Sequence, residues 1–202
     1  MTSKKDQSGK KVVAICGSPR LNGNTQILLE KLCSTLNSRD ITTELILLAN
    51  HNVKPCLGCA KCKELRDRTC AIKDDDFHLI LQKMLDADGI IVGSPVYFGS
   101  ATSQTTSLLH RAGYVSRNNG HIFKGKIGAP VVVGRRAGHN FTYAQLLFFF
   151  IVNSMIVPGA TYWNIAFGRQ KGDVDGDEEG METIKNFAIN MANLLSYIPG
   201  QV

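Results

Sequence analysis

An open, doubly wound sheet of five parallel strands, covered by helices on both faces, is the α/β fold this sequence predicts. Three observations lead there. Strand-like and helix-like segments alternate along the chain. Each strand is almost continuously apolar, as in a parallel sheet buried on both faces. And 202 residues fall short of the eight units and roughly 250 residues of a closed barrel.

The elements follow in order. KVVAICGS (Lys11–Ser18) is a β-branched apolar run and the first strand. Asn24–Ser38 carries Ile27, Leu28, Leu32 and Leu36 at helical spacing. Ile41–Ala49 is the second strand, and a cysteine-rich insertion, residues 53–73, comes after it. Asp74–Asp76 supplies N-cap chemistry for a helix with Phe77, Ile80, Leu81, Met84 and Leu85 on one face. Gly89–Tyr97 is the third strand, residues 101–113 a helix, and Ile127–Gly134 the fourth strand. Tyr143–Ile156 is a long apolar helix, and Ala160–Phe167 the fifth strand. Residues 168–180 read as a linker before a last helix bearing Ile184, Phe187, Met191, Leu194 and Leu195. The expected division is a basic arm at 1–10 and one domain at 11–202.

Composition excludes more than it assigns. Apolar residues at 44% and charged residues at 20% are those of a globular chain. The net charge is +6, but residues 1–11 carry +3 of it, so half the excess belongs to one end. There is no basic stripe with interleaved aromatics, and nucleic acid is not an expected partner. The longest apolar run, Ala144 to Val157, is interrupted by Asn153 and Ser154 and stopped by Pro158, so no membrane is expected either. Val12 to Cys16 is too short for the core of a secretion signal. A cytoplasmic protein with reduced thiols is the expectation.

In open sheets of this kind ligands bind beyond the carboxyl ends of the strands. Loops 17–25, 94–100 and 134–140 should therefore converge. The first, GSPRLNGNT (Gly17–Thr25), opens directly into a helix. Backbone N–H groups and the positive end of the helix dipole favour an anion there. Ser18 and Thr25 add hydroxyls, and Arg20 adds a cation. The loop lacks the lysine of a P-loop, since Asn24 precedes Thr25, and lacks a G-x-G-x-x-G run. Leu48, Ala49 and Asn50 offer no acid for a ribose. A terminal phosphomonoester is the anion that suits it.

GSPRLNGNT, followed by SPVYFGS at the end of strand three, resembles the NADPH-dependent FMN reductase branch of the flavodoxin-like superfamily. Gly134 to Asn140 is similar to the third flavin-side loop of that family, and the likeness runs from Lys11 to Leu195. The resemblance implies a flavodoxin-like fold and bound FMN. Ser18, Arg20, Asn22, Gly23, Asn24 and Thr25 would hold the phosphate. Pro95, Val96, Tyr97, Phe98 and Gly99 would lie along the isoalloxazine, with Arg135, Gly138 and His139 beside it. Tyr97 or Phe98 would stack on the ring or meet it edge-on. Where relatives carry a Lys and an Asp-Arg pair on the next helix, this chain has Thr106 and His110-Arg111.

Cys56-x2-Cys59-x2-Cys62-x7-Cys70 is the sharpest feature. Three thiolates at a repeated spacing of three wrap a loop around three corners of a cubane, and a fourth closes it, as in bacterial ferredoxin runs. Pro55 and Gly58 let the chain turn tightly. Zinc, and a metal-free reversible dithiol, stay open as alternatives. Cys16 and Cys33 read as core residues. The placement of the motif between strand two and the next helix is similar to that in the iron–sulfur flavoproteins. That likeness implies FMN and one [4Fe–4S] cluster per chain, with Cys56, Cys59, Cys62 and Cys70 as ligands. It also implies a homodimer or homotetramer in which cluster and flavin approach across subunits.

Other signals are weaker. Asp173, Asp175 and Asp177 have a calcium-loop spacing, but Glu178 takes the glycine position and Ile184 that of the bidentate Glu. The five histidines show no metal spacing, and only His139 falls in a converging loop. No G-x-S-x-G is present for a hydrolase. The expectation is an FMN-dependent oxidoreductase with a [4Fe–4S] cluster, joining a two-electron partner to one-electron partners. NAD(P)H or ferredoxin is the donor, and no side chain is assigned acid or base work. The alternatives are an NAD(P)H-dependent FMN or quinone reductase without a cluster, and a non-catalytic electron carrier or redox sensor.

Overall fold

The computed structural model describes residues 9–198. Five strands form one all-parallel sheet: β1 (Lys11–Cys16), β2 (Thr42–Leu47), β3 (Gly89–Pro95), β4 (Ile127–Gly134) and β5 (Ile165–Phe167), in the order β2-β1-β3-β4-β5. The order reverses between β1 and β3, and a crevice opens beyond the carboxyl ends of the strands at such a switch point. The helices are α1 (Asn24–Asn37), α2 (Lys61–Leu65), α3 (Phe77–Asp86), α4 (Ser103–Asn118), α5 (His139–Val152) and α6 (Glu178–Tyr197).

Alternation along β1 builds both cores. Val13 and Ile15 pack under α3, α4 and α5, while Val12, Ala14 and Cys16 pack under α1 and α6. Cys16 and Cys33 lie in the second core, as expected, and burial pushes the Cys16 thiol up to about 11. Gly17 ends β1 where only glycine fits: a Cβ there would stand 1.8 Å from Thr105 Oγ1. That contact brings the first turn of α4 against the first loop, and the Thr102 hydroxyl donates to the Gly17 carbonyl at 2.7 Å.

Several boundaries differ from expectation. The fifth strand is Ile165–Phe167 only, not Ala160–Phe167. Ile156 pairs with the start of β4 and Ile165 with Val132. Between them Pro130 has no N–H to give that edge, so the ladder breaks there. α5 runs His139–Val152 rather than Tyr143–Ile156, because Gly138 (φ +91°) turns the third loop straight into the helix. α4 continues past residue 113 to Asn118, because Val115 and Ser116 extend its buried face. Residues 1–8 of the expected arm lie outside the described residues. Lys10 belongs to the domain: its buried ammonium donates to Asp88 Oδ1 at 3.3 Å and to the Ile198 carbonyl at 2.9 Å. Among the described residues no helix is long and apolar enough to cross a membrane.

Candidate functional site

The loops after β1, β3, β4 and β5 border a cleft of about 600 Å³, within the usual range of small-molecule sites. Ser18, Arg20, Gly23, Asn24 and Thr25 line one side, Pro95, Val96 and Tyr97 another, and Arg135 a third. Nine of the fourteen cofactor residues expected from sequence therefore meet in one place.

The first loop is held by its own side chains. Ser18 Oγ accepts the Arg20 N–H at 3.1 Å, and Gln26 Oε1 accepts the Asn22 N–H at 2.6 Å. Asn22 sits in the left-handed region (φ +52°) and does not line the cleft. The first turn of α1 has neither a side-chain cap nor an acid, so its N–H dipoles act on the cleft unneutralised. Arg20, Arg135, Arg169 and Lys171 are its cations, and no Asp or Glu lines it. This is the chemistry of a phosphate-bearing ligand.

The second loop turns sharply: Tyr97 and Ser100 exchange both backbone hydrogen bonds, at 2.8 and 3.0 Å, across Phe98 (φ +51°) and Gly99 (φ +75°). A left-handed Phe is a strained choice. It leaves the Phe98 ring fully exposed at the tip, outside the cleft, while Tyr97 lines it. Gly138 is a contact point between loops, since a Cβ there would meet Val96 Cγ1 at 2.7 Å. His139, expected beside the flavin, is instead buried, with Nε2 3.2 Å from the Ala166 carbonyl and its ring against Phe167. It braces β5 and does not line the cleft.

Sequence reasoning missed Gly168, Arg169, Gln170 and Lys171, which close the fourth side. They follow β5 at its carboxyl end, and the rule that assembled the other three loops would have included this one. Asn24 ties the segment down through Gln170 and Gly172. The acids that mimic a calcium spacing serve the backbone. Asp173 accepts the Arg169 and Gln170 N–H groups, and Asp177 accepts those of Phe167 and Gly180.

Cys56, Cys59, Cys62 and Cys70 all line a second cavity, of about 310 Å³, after β2. Left-handed turns at Gly58, Ala60, Arg66 and Arg68 curl the chain around it. The Gly58 N–H points at Cys56 Sγ from 3.5 Å, and Asn118 Nδ2 at Cys62 Sγ from 3.8 Å. Burial lifts the Cys62 thiol against the Asn118 contact, and the nearby Cys70 and Cys56 sulfurs add to the rise. The Cys70 N–H donates to His78 Nε2 at 3.1 Å, and burial beside Lys73 and Arg111 keeps that imidazole below its ordinary range. Among the described residues no three His, Cys, Asp or Glu side chains are grouped to hold a single ion. The four sulfurs are soft donors of the kind that bind zinc or iron.

Comparison with known proteins places the chain in a family and a fold. Residues 10–170 match the model of the NADPH-dependent FMN reductase family. An iron–sulfur flavoprotein of Methanocaldococcus jannaschii is 39% identical, over 93% of this chain and 98% of that protein. One from Methanosarcina thermophila is 31% identical, over 93% and 96% respectively. Among solved structures, an apo NADH:FMN oxidoreductase superposes with a TM-score of 0.68 at 21% identity, over 94% of this chain and 92% of that one. A flavodoxin from the domain Archaea gives 0.61 at 14%, over 93% and 98%. At those identities the solved structures speak for the fold alone.

Proposed function

The chain belongs to the NADPH-dependent FMN reductase family and is an FMN-dependent oxidoreductase, and from that premise we propose that its four clustered cysteines hold a [4Fe–4S] centre. It then couples a two-electron partner to one-electron partners. The observation that carries the reading is four cysteines around one cavity, which follows β2 on the same carboxyl-end side of the sheet as the cationic cleft. The name iron–sulfur flavoprotein, borne by the relatives reported above, supports it. When bound, FMN exchanges electrons in pairs or singly, whereas a thiolate-held cluster takes them singly.

The residues of the chain bind and orient. The first turn of α1, with Ser18, Arg20 and Thr25, receives the FMN phosphate. Pro95, Val96, Tyr97 and Val133 offer the flat apolar wall a ring system needs. The remaining cations suit the phosphates of NAD(P)H, and reduced ferredoxin is the alternative donor. Six cysteines outside any disulfide suit a cytoplasmic setting.

A second copy of the chain is the proposed occupant of a groove of about 660 Å³ between α4 and α5, giving a homodimer or homotetramer. Phe148 and Val152, both exposed, line it with Tyr114, and apolar residues on every side of a helix call for cover. Thr106 and His110 also line the groove. Light scattering of Phe148→Asp should give monomers where the native chain gives a dimer or larger.

The deciding experiment is anaerobic purification with iron, acid-labile sulfide, zinc and flavin measured on one sample. Iron and sulfide in equal amounts beside FMN is the expected result. Zinc without iron overturns the cluster, and absence of FMN affinity overturns the whole reading. Steady NAD(P)H oxidation by the pure protein identifies the reductase. Reduction by ferredoxin alone identifies the carrier.

A further inference from the structure

One cation inside the molecule has no part in the function described so far. Arg111, on α4, is 1% exposed and lines the cysteine cavity. Its Nη1 donates to the Lys54 carbonyl at 3.1 Å and to Asp75 Oδ2, and its Nη2 to the Ile72 carbonyl at 3.1 Å and to Asp75 Oδ1 at 3.3 Å. Lys54 and Ile72 stand just outside the four cysteines, one before Cys56 and one after Cys70. A single guanidinium therefore closes the whole loop at its base. Phe77 covers one face of it, with Cζ 3.9 Å from the ring centroid. Asp75 is wholly buried with it and also accepts the Lys54 N–H at 2.9 Å.

Two facts exceed what closing a loop requires. Arg111 Nε is buried with no hydrogen-bond partner among the described residues, and a buried donor is costly to leave unused. And a fully buried charge pair adds little stability over apolar packing, so its presence beside a cavity ringed by sulfur calls for another role.

We propose that Arg111 is the positioning residue of the cysteine cavity: it clamps the ligand loop through two carbonyls and presents its Nε–H to the sulfur-rich cluster, whose potential the Arg111–Asp75 pair sets. The proposal rests on the cluster reading above. Hydrogen bonds to sulfur and local charge are levers on such potentials. A cation near the cluster favours its reduced, more negative form, and an anion disfavours it.

The test uses the anaerobic full-length holoprotein with Arg111→Gln, Arg111→Lys, Asp75→Asn and the Gln/Asn double variant. Iron and sulfide are counted, FMN content reports folding, and the cluster is titrated with dithionite against redox mediators. Arg111→Gln leaves Asp75 uncompensated and should lower the midpoint. Asp75→Asn leaves Arg111 uncompensated and should raise it. Each shift should be at least tenfold in the oxidised-to-reduced ratio, about 59 mV for one electron, and the double variant should return towards the native value. Arg111→Lys should keep more iron than Arg111→Gln. Shifts of the same sign in the two single variants, or none, overturn the proposal, as does iron lost equally from Lys and Gln variants that keep their FMN. A native protein without iron and sulfide fails the cluster reading itself, a distinct result.

Discussion

Asn24, in the first turn of α1, holds a segment 148 positions away: its Oδ1 accepts the Gly172 N–H at 2.8 Å while its Nδ2 donates to the Gln170 carbonyl at 2.7 Å. One amide thereby joins the anion-binding turn to the loop that closes the cleft. Asn24→Ala removes both bonds, each worth about 1 kcal/mol. FMN affinity should fall roughly tenfold, as read by quenching of flavin fluorescence, and the melting temperature by several degrees. An unchanged Kd would mean the 168–171 segment takes no part in binding.

Gly138 meets two constraints at once. Its φ of +91° disfavours any L side chain, and a Cβ would press on Val96 Cγ1. Gly138→Ala should cost about 1–3 kcal/mol of stability and weaken FMN binding by displacing the second loop. Adding Val96→Ala removes the steric part alone, so the double variant should recover some FMN affinity. Recovery to the native melting temperature would contradict the backbone half of the argument.

The cysteines should separate by reactivity in apoprotein prepared without metal. Cys59 is exposed, whereas Cys16 is 1% exposed, and the thiolate is the reacting species. Iodoacetamide at pH 8, followed by peptide mass mapping, should label Cys59 first and leave Cys16 until the protein unfolds. Early labelling of Cys16 would show β1 opening locally.

Cys16 also gives the stability a pH dependence. Burial raises its folded pKa to about 11 from an ordinary 9.0. Between those values the unfolded chain has lost the thiol proton and the folded chain has kept it. The contribution is thus fully present below about pH 9 and is lost as pH rises towards 11. Urea titrations across that window should show stability falling, with a shallower slope in Cys16→Ala. Parallel slopes in the two proteins would refute the assignment.

Much of the molecule is written locally. β1, β3 and β4 are legible because their apolar runs are continuous, and the first loop because its glycines and hydroxyls are contiguous. The four cysteines announce themselves by spacing. What stays hidden depends on partners far away in sequence. The short β5 is decided by Pro130 in the neighbouring strand, and the burial of His139 by the Ala166 carbonyl. Arg111 and Asp75 lie 36 positions apart, and nothing near either residue signals that they share a buried pair. The segment 168–171 reads as a linker because its anchor, Asn24, sits on the first helix.

α4 touches both candidate redox sites. Thr102 and Thr105 at its start meet the first loop at Gly17, and Arg111, Asn118 and Asn119 further along grip the cysteine loop. It has 16 residues, which at 1.5 Å each is a rod of about 24 Å. Within one chain the first loop and the cysteine loop therefore rest on one stiff support, and a displacement of α4 would be felt at both.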